Sequence, residues 1–380
     1  MEPQSLAPDA DYKSIARAVQ PPQIPACRSH DPNNNQKRTD PFQFGSRYLE
    51  EGDNVFEFNA WDHVETDEGY KEYAELQYAR QRENPVSDFD RRRFNSDPAK
   101  WWNLFYKNNT ANFFKNRKWL QQEFPILAEV TQADAGPKVV LEIGAGAGNS
   151  AFPILAQNKN PQFKLHACDY SKKAVEVMRS SEHYDEKFMS ADVWDVSAQG
   201  EGSLPPGLEE GSVDVAVMIF VFSALAPTEW NQALTNVYRV LKPGGVVLFR
   251  DYGRGDLAQV RFKKGRYLDD NFYVRGDGTR VYFFEKEQLE HIWGKFSPET
   301  GIPPYGDHKE ESTENKEEGE KEEEEIKEEK PESEVEVKEE PKNGFEVLNL
   351  GVDRRLLVNR QKQLKMYRCW IQGRFKKTTV

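Results

Sequence analysis

Residues 138–150, KVVLEIGAGAGNS, limit this chain more than any other stretch. Val139, Val140, Leu141 and Ile143 surround a single acid, Glu142, and read as a short strand buried on both faces. The strand runs directly into a glycine at every second position, so the backbone must turn at once. Gly144, Gly146 and Gly148 carry no Cβ, which lets the chain take positive φ and lets a ligand lie against it at contact distance. A dinucleotide turn has the form G-x-G-x-x-G, and its last glycine would fall on Asn149. This loop is G-x-G-x-G instead. Glu142, two residues before the first glycine, suits a cationic or amine-bearing ligand better than a diphosphate, and S-adenosylmethionine is such a ligand. A glycine-rich turn without any ligand is the competing reading of the loop taken alone.

The residues that follow favour the ligand. A second short strand, 163–168, ends at Asp169, twenty-one residues after Gly148. That is the spacing at which an acid on the neighbouring strand meets the ribose hydroxyls of a nucleoside. Ser171 is a suitable N-cap for KKAVEVMRS, where Ala174, Val175 and Met178 share one face. Asp192, in SADVWD, stands where a third strand should end and is placed to accept from an adenine amino group, with a surface loop acid as the competing reading. The apolar run 213–225 is a central parallel strand, 230–241 an amphipathic helix closed by KPGG, and 246–250 the next strand. Strand alternating with helix argues a doubly wound parallel sheet that binds ligands at the carboxyl ends of its strands.

The order E-x-G-x-G-x-G, ACDYS, an Asp after the third strand and LKPGG resembles the Rossmann-like class I S-adenosylmethionine-dependent methyltransferases. That resemblance implies an α/β fold with a mostly parallel seven-stranded sheet, helices on both faces and an N-terminal helical lid. WNLFYKNNTANFFKNRKWL (102–120), RDYG (250–253) and NFYVRGDGTRVYFF (271–284) are similar to the eukaryotic tRNA 3-methylcytidine methyltransferases. FGSRYLEEGDNVFEFNAWDHV (44–64) and VDRRLLVNRQKQLKMYRCWIQ (352–372) resemble the branch acting on threonine tRNA. Where the family has F-F-K-D-R-H-W, this chain has Asn116 and Lys118 in place of the acid and the histidine, while Lys115, Arg117 and Trp119 match. The resemblance covers about residues 44–376. It implies that Trp102, Tyr106, Gly144, Asp169, Asp192 and Ile219 contact the cofactor. It also implies methylation at N3 of the cytosine that opens the anticodon loop, position 32, in threonine tRNA. Some relatives use helper proteins for other tRNAs, such as seryl-tRNA synthetase for serine tRNA.

Residues 1–40, rich in Pro, Gln and Asn, are expected to be disordered, and 41–130 to form a helical, aromatic region for tRNA and the cofactor lid. Within it, Trp101, Trp102, Phe105, Tyr106, Phe113, Phe114 and Trp119 recur at helical spacing among Lys107, Lys115, Arg117 and Lys118. An aromatic stripe of this kind is often core, but one lying just before the first strand can fold over the open end of the sheet. The DRRRF cluster at 90–94 is either a solvated helix face or a nucleic-acid contact. Residues 131–380 form the methyltransferase domain, interrupted at about 300–343 by a disordered acidic insert. Seventeen Glu and seven Lys at 309–342 hold ten of the twelve net negative charges, so the rest of the chain is near neutral and keeps basic clusters suited to RNA.

Asp251 and Tyr252, at the end of a strand on the catalytic edge, are the candidate catalytic pair, the acid stabilising charge that grows on the base. Phe220 and Phe222 are expected to shape the base pocket. Lys115, Arg117, Arg261, Lys263, Lys264, Arg275, Arg280, Arg354, Arg355 and Arg360 are the candidate tRNA contacts, with Arg275 and Arg280 at a hairpin tip and the last three on a ridge between two strands. Three cysteines give neither a metal spacing nor a disulfide framework, no run of eighteen apolar residues exists, and the N-terminus has no signal pattern. A cytoplasmic protein without membrane contact is expected. A small-molecule or protein methyltransferase, or a non-catalytic scaffold on the same fold, are the rival classes.

Overall fold

The computed structural model describes residues 47–305 and 343–378, so the expectations for residues 1–40 and for the acidic run 309–342 lie outside the described residues. The strands are β1 (Ala60–Asp62), β2 (Lys138–Ile143), β3 (Phe163–Asp169), β4 (Met189–Val193), β5 (Val213–Ile219), β6 (Leu241–Tyr252), β7 (Tyr267–Asp269), β8 (Phe272–Val274), β9 (Arg280–Tyr282), β10 (Gly344–Asn359) and β11 (Leu364–Thr378). Eight of them form one sheet in the order β1-β10-β11-β6-β5-β2-β3-β4. The stretch from β6 to β4 is parallel throughout, and β11, β10 and β1 add antiparallel strands at one edge. The chain runs outward from β2 to β4, then returns to β5 on the other side of β2, which makes the gap between β2 and β5 the switch point where such sheets bind ligands.

Alternation along the strands sorts the core into two layers. Leu141, Ile143, Met218 and Phe249 face helices Trp230–Val240 and Lys286–Gly294. Val140, Leu165, Val215 and Val217 face the other way, onto Leu120, Leu127, Ile154, Val175 and Met178. Both faces are covered by helix, which is why these strands read as near-continuous apolar runs. Trp293 stacks flat on Phe375 at 4.2 Å and ties the helical layer to β11. Among the described residues no helix is long and apolar enough to cross a membrane.

The edge departs from expectation. The sheet has eight strands rather than seven, because β1 pairs with β10, Asp62 opposite Arg355. Three residues are too few to show a period in sequence. β10 also runs through to Asn359, so Arg354 and Arg355 belong to a strand and not to a ridge between strands. The expected hairpin at 271–284 forms, Val274 opposite Arg280, and β7 joins it as a third strand. Trp61, Tyr70, Ala74 and Tyr78 pack on Leu356, Val358 and Tyr367, which fixes the N-terminal segment to the C-terminal hairpin.

Candidate active site

A pocket opens at the carboxyl ends of β2 and β5, floored by Gly144–Gly146, walled by Asp169, Trp194–Ser197, Ile219 and Phe220, and covered by Trp102, Phe105, Tyr106, Phe113 and Phe114. Gly144 sits at φ +67° and Gly146 at φ +60°. A Cβ on Gly144 would lie 2.4 Å from Val221 Cγ2, and one on Gly146 would lie 2.3 Å from the Tyr106 hydroxyl. Glycine is required there for both conformation and space. The loop is held by Asp169, whose Oδ2 accepts from Gly146 N at 2.8 Å and whose Oδ1 accepts from Ser171 N at 2.8 Å. Burial pushes the Asp169 carboxyl up to about 6, opposed by those two N–H groups.

The cover is helix Pro98–Asn109, started by a proline in its first turn and capped by Asp97, whose side chain accepts from Lys100 N. Asn103 Oδ1 accepts from Ser171 Oγ at 2.8 Å and from Lys173 N at 3.1 Å, hooking the cover onto the start of helix Lys172–Arg179. Trp102 and Tyr106 therefore stand over the glycine loop, as expected. The expected roof over the open sheet end is what forms.

Arg117 is not a surface contact for tRNA. Its backbone N–H donates to Asn149 O at 2.8 Å, and its Nη1 donates to Ser150 Oγ at 2.6 Å and lies 3.8 Å from Glu142 Oε1. Glu142, 1% exposed, consequently faces Arg117 beneath the loop instead of offering its charge to the pocket, and burial raises its carboxyl to about 7 while Arg117 opposes the rise. Asn116 Oδ1 accepts from Asn149 Nδ2 at 3.1 Å, so the substituted position still supplies an acceptor to the glycine loop.

Asp192 is also displaced from its expected place. Its Oδ1 is 2.8 Å from Arg179 Nη2, and the wall beyond β4 is built by Trp194–Ser197, with Asp195 accepting from Ser197 N and Oγ. Asp195 is the second acid of ADVWD, three residues past Asp192, and that second acid is the signal in sequence for the wall.

At the other end of the pocket Tyr252 lines the wall, its ring 4.9 Å from Phe220 and 5.6 Å from Phe283, with the Arg275 guanidinium 5.5 Å above it. Phe220 holds a positive φ of 60°, uncommon for a residue with a side chain, and its N–H donates to Arg250 O. Phe222, by contrast, is fully buried against Trp230 and Phe284 and shapes no pocket. Asp251 is fully buried too: Oδ2 accepts from Ser223 N and Oδ1 from Tyr252 N, both at 2.8 Å. The carboxylate thus orients the pocket residues Ser223 and Tyr252 and does not itself reach a base. Burial raises it to about 6.

Of the remaining cations, Arg280 is 4% exposed and bonded to Glu229 at 2.8 Å and Asn95 at 3.2 Å, not held out at a hairpin tip. Glu229 and Ser223 line the pocket and were not anticipated. Arg354 pairs with Glu65, Arg355 with Asp62, and Arg360 donates to Glu57 O. Lys115, Arg261, Lys263 and Lys264 are exposed, and among the described residues none of them is in an ion pair. No cluster of His, Cys, Asp and Glu suited to a metal occurs among the described residues.

The sheet order, the G-x-G-x-G turn and the Asp169 staple together define a class I S-adenosylmethionine-dependent methyltransferase fold. A methyltransferase-domain family model matches residues 141–247. The tRNA(Thr) (cytosine(32)-N(3))-methyltransferase of Saccharomyces cerevisiae is 48% identical over 88% of this chain, which spans 46% of that protein. The tRNA N(3)-methylcytidine methyltransferase trm140 of Schizosaccharomyces pombe is 43% identical over 88% of this chain and 92% of its own length, and Mettl2 of Drosophila melanogaster 39% identical over 90% of each. This chain belongs to the tRNA N(3)-methylcytidine methyltransferase family.

Gly146→Ala should push Tyr106 off the loop and weaken S-adenosylhomocysteine binding at least about tenfold, read by calorimetry, with a fold preserved by circular dichroism. Cofactor binding should also be pH-dependent. An ionised carboxylate is a stronger acceptor for a ribose hydroxyl than a protonated one, so with the Asp169 carboxyl at about 6 the affinity should be full above pH 7 and weaken below pH 6. Glu142 titrates nearby but faces Arg117, so calorimetry on Asp169→Asn separates the two: that variant should lose the pH-dependent part.

Proposed function

We propose that this chain transfers a methyl group from S-adenosylmethionine to N3 of cytosine 32 in the anticodon loop of tRNA, with threonine tRNA as its first substrate. The observation that carries the reading is the two-part pocket, a glycine and carboxylate cradle continuous with an aromatic wall of Phe220 and Tyr252. Membership of the family, and the substrate printed in the name of the Saccharomyces cerevisiae relative, support it.

The residues present fit the cofactor. Gly144 and Gly146 let the loop take its left-handed turn with Val221 and Tyr106 closed against it, Asp169 keeps free lone pairs for ribose hydroxyls, and the Arg117 guanidinium at the wall suits the carboxylate of an amino-acid tail. When bound, S-adenosylmethionine supplies a methyl group activated by its sulfonium. The protein's task is then positioning, since cytosine N3 keeps a free lone pair at neutral pH and needs no base to unmask it. Phe220 and Tyr252 offer ring faces to a base splayed out of an RNA loop. Ser223, held by Asp251, presents a polar group to the same space. Asp251 is a positioning residue in this scheme and Tyr252 a contact residue. Trp102, Tyr106 and Ile219 complete the cofactor side.

The proposal includes cytoplasmic action and a helper protein, such as seryl-tRNA synthetase, for tRNAs other than threonine tRNA. Incubating the purified chain with total tRNA and labelled cofactor, then sequencing and nucleoside analysis, should place 3-methylcytidine at position 32 of threonine tRNA. Label on another class of acceptor, or none despite cofactor binding, would refute the reading, and repeating the assay with the synthetase tests the helper. Asp251→Asn should leave one backbone N–H without its acceptor, lowering stability by about 1–3 kcal/mol and turnover by about tenfold or more, while cofactor affinity stays within about twofold. Turnover equal to wild type at a temperature where the variant is folded would remove Asp251 from the site.

A further inference from the structure

Two basic segments lie about 170 residues apart in sequence, the arginine run Arg91–Arg93 and the lysine-rich loop Arg261–Arg266. The fold ties the residues that lead into the first segment to the second. Val86 N donates to Tyr267 O at 2.9 Å, Gly265 N to Asn84 O at 2.8 Å, and Gln81 Nε2 to Phe262 O at 3.1 Å, so the residues just before helix Asp88–Ser96 are sewn to the loop. We propose that these segments form one docking face for the phosphate backbone of an RNA helix, the anticodon stem of the tRNA. This rests on the function proposed above.

Four observations carry it. First, helix Asp88–Ser96 buries none of its residues, so core packing does not account for three consecutive arginines. Second, its cations and those of the loop are mostly free: Arg92, Arg93, Arg261, Lys263 and Lys264 are exposed. Among the described residues only Arg93 of these five is in an ion pair, with Asp90 at 3.6 Å. Third, the neighbouring acids are largely engaged: Asp90 also takes Ser87 Oγ, and Asp270 takes the Tyr267 hydroxyl and lies 3.8 Å from Arg82. Asp88 and Asp269 are exposed acids flanking the same two segments, and Asp269 accepts from Asp270 N.

Fourth, both arms reach the pocket wall. On one side Asn95 accepts from Arg280, and Arg93 lies 5.2 Å over Trp101, the residue just before Trp102 of the cover. On the other, Arg266 Nη1 donates to the carbonyl of Arg275, which lines the pocket. Arg91 and Arg92 are four and three residues before Asn95, so they stand ~6 and ~4.5 Å farther along the helix axis. A nucleotide that opens an anticodon loop is joined directly to the helical stem. When its base enters the pocket, stem phosphates must therefore pass close to the pocket mouth, where this face begins. The contact is to backbone and carries no base sequence; it fixes register.

The test compares Arg92→Gln with Arg93→Gln, as one double variant, against Lys263→Gln with Lys264→Gln as another. Two probes are used: a hairpin RNA of the anticodon stem and loop, and the loop sequence as a single strand. Each double variant should weaken hairpin binding roughly tenfold at low salt and make the slope of log K against log salt shallower by about 1.4–1.8, two phosphate contacts' worth. Binding of the single strand and of S-adenosylhomocysteine should not change. A wild-type slope in either double variant would overturn the shared face, and so would wild-type protein that binds hairpin and single strand alike. If the wild-type chain binds neither RNA, the proposed function itself fails, which separates the two claims.

Discussion

The site depends on one buried carboxylate. Asp169 sits at the end of β3, yet its two oxygens hold backbone N–H groups on both sides of it: Gly146 in the loop that follows β2, and Ser171 at the start of the next helix. The Ser171 hydroxyl then meets Asn103 of the covering helix, so floor, wall and roof converge on neighbouring residues. Burying the charge costs desolvation, which is why the carboxyl rises to about 6; the two N–H donors offset part of that. Loop curvature, strand end and cover cannot shift independently while this carboxylate stays bonded.

Charge in the pocket follows the same economy of shared partners. Arg117 and Glu142 are locked together under the loop, and Arg280 with Glu229 at the opposite wall. Each pair removes a cation from any role on the RNA-facing surface and stiffens a wall instead. Lys115, Arg261, Lys263, Lys264, Arg92 and Arg93 are, by contrast, exposed to water.

The parts legible in sequence were those written in local signals. A strand, a turn without side chains and an acid on the next strand have a fixed spacing, and Gly144, Gly146 and Asp169 fall where that spacing puts them. Paired charges were not legible, because a cation's partner is set by tertiary structure: Arg280 meets a residue 51 positions away, and Arg355 one 293 away. Asp251 and Tyr252 show a finer limit. Neighbours on a strand point to opposite faces, so knowing that both end β6 does not tell which side chain enters the pocket. Phe220 and Phe222 were ambiguous for another reason: the strand stops at Ile219, and the positive φ at Phe220 re-aims the chain before Phe222 turns into the core.

Strand β1 has consequences beyond its three residues. It covers part of the outer edge of β10, and Asp62 there holds Arg355 while accepting from Arg47 N. Residues early in the chain thus finish a sheet by pairing with a strand nearly 300 positions later. A cut between the aromatic region and β2, the natural place to divide the chain by sequence, would strip that cover from an edge with unpaired backbone groups and strand an arginine's partner. The segment from β2 onward is therefore not cleanly separable from what precedes it: β1 and β10 clasp each other, and β10 must be made before this border of the sheet can close.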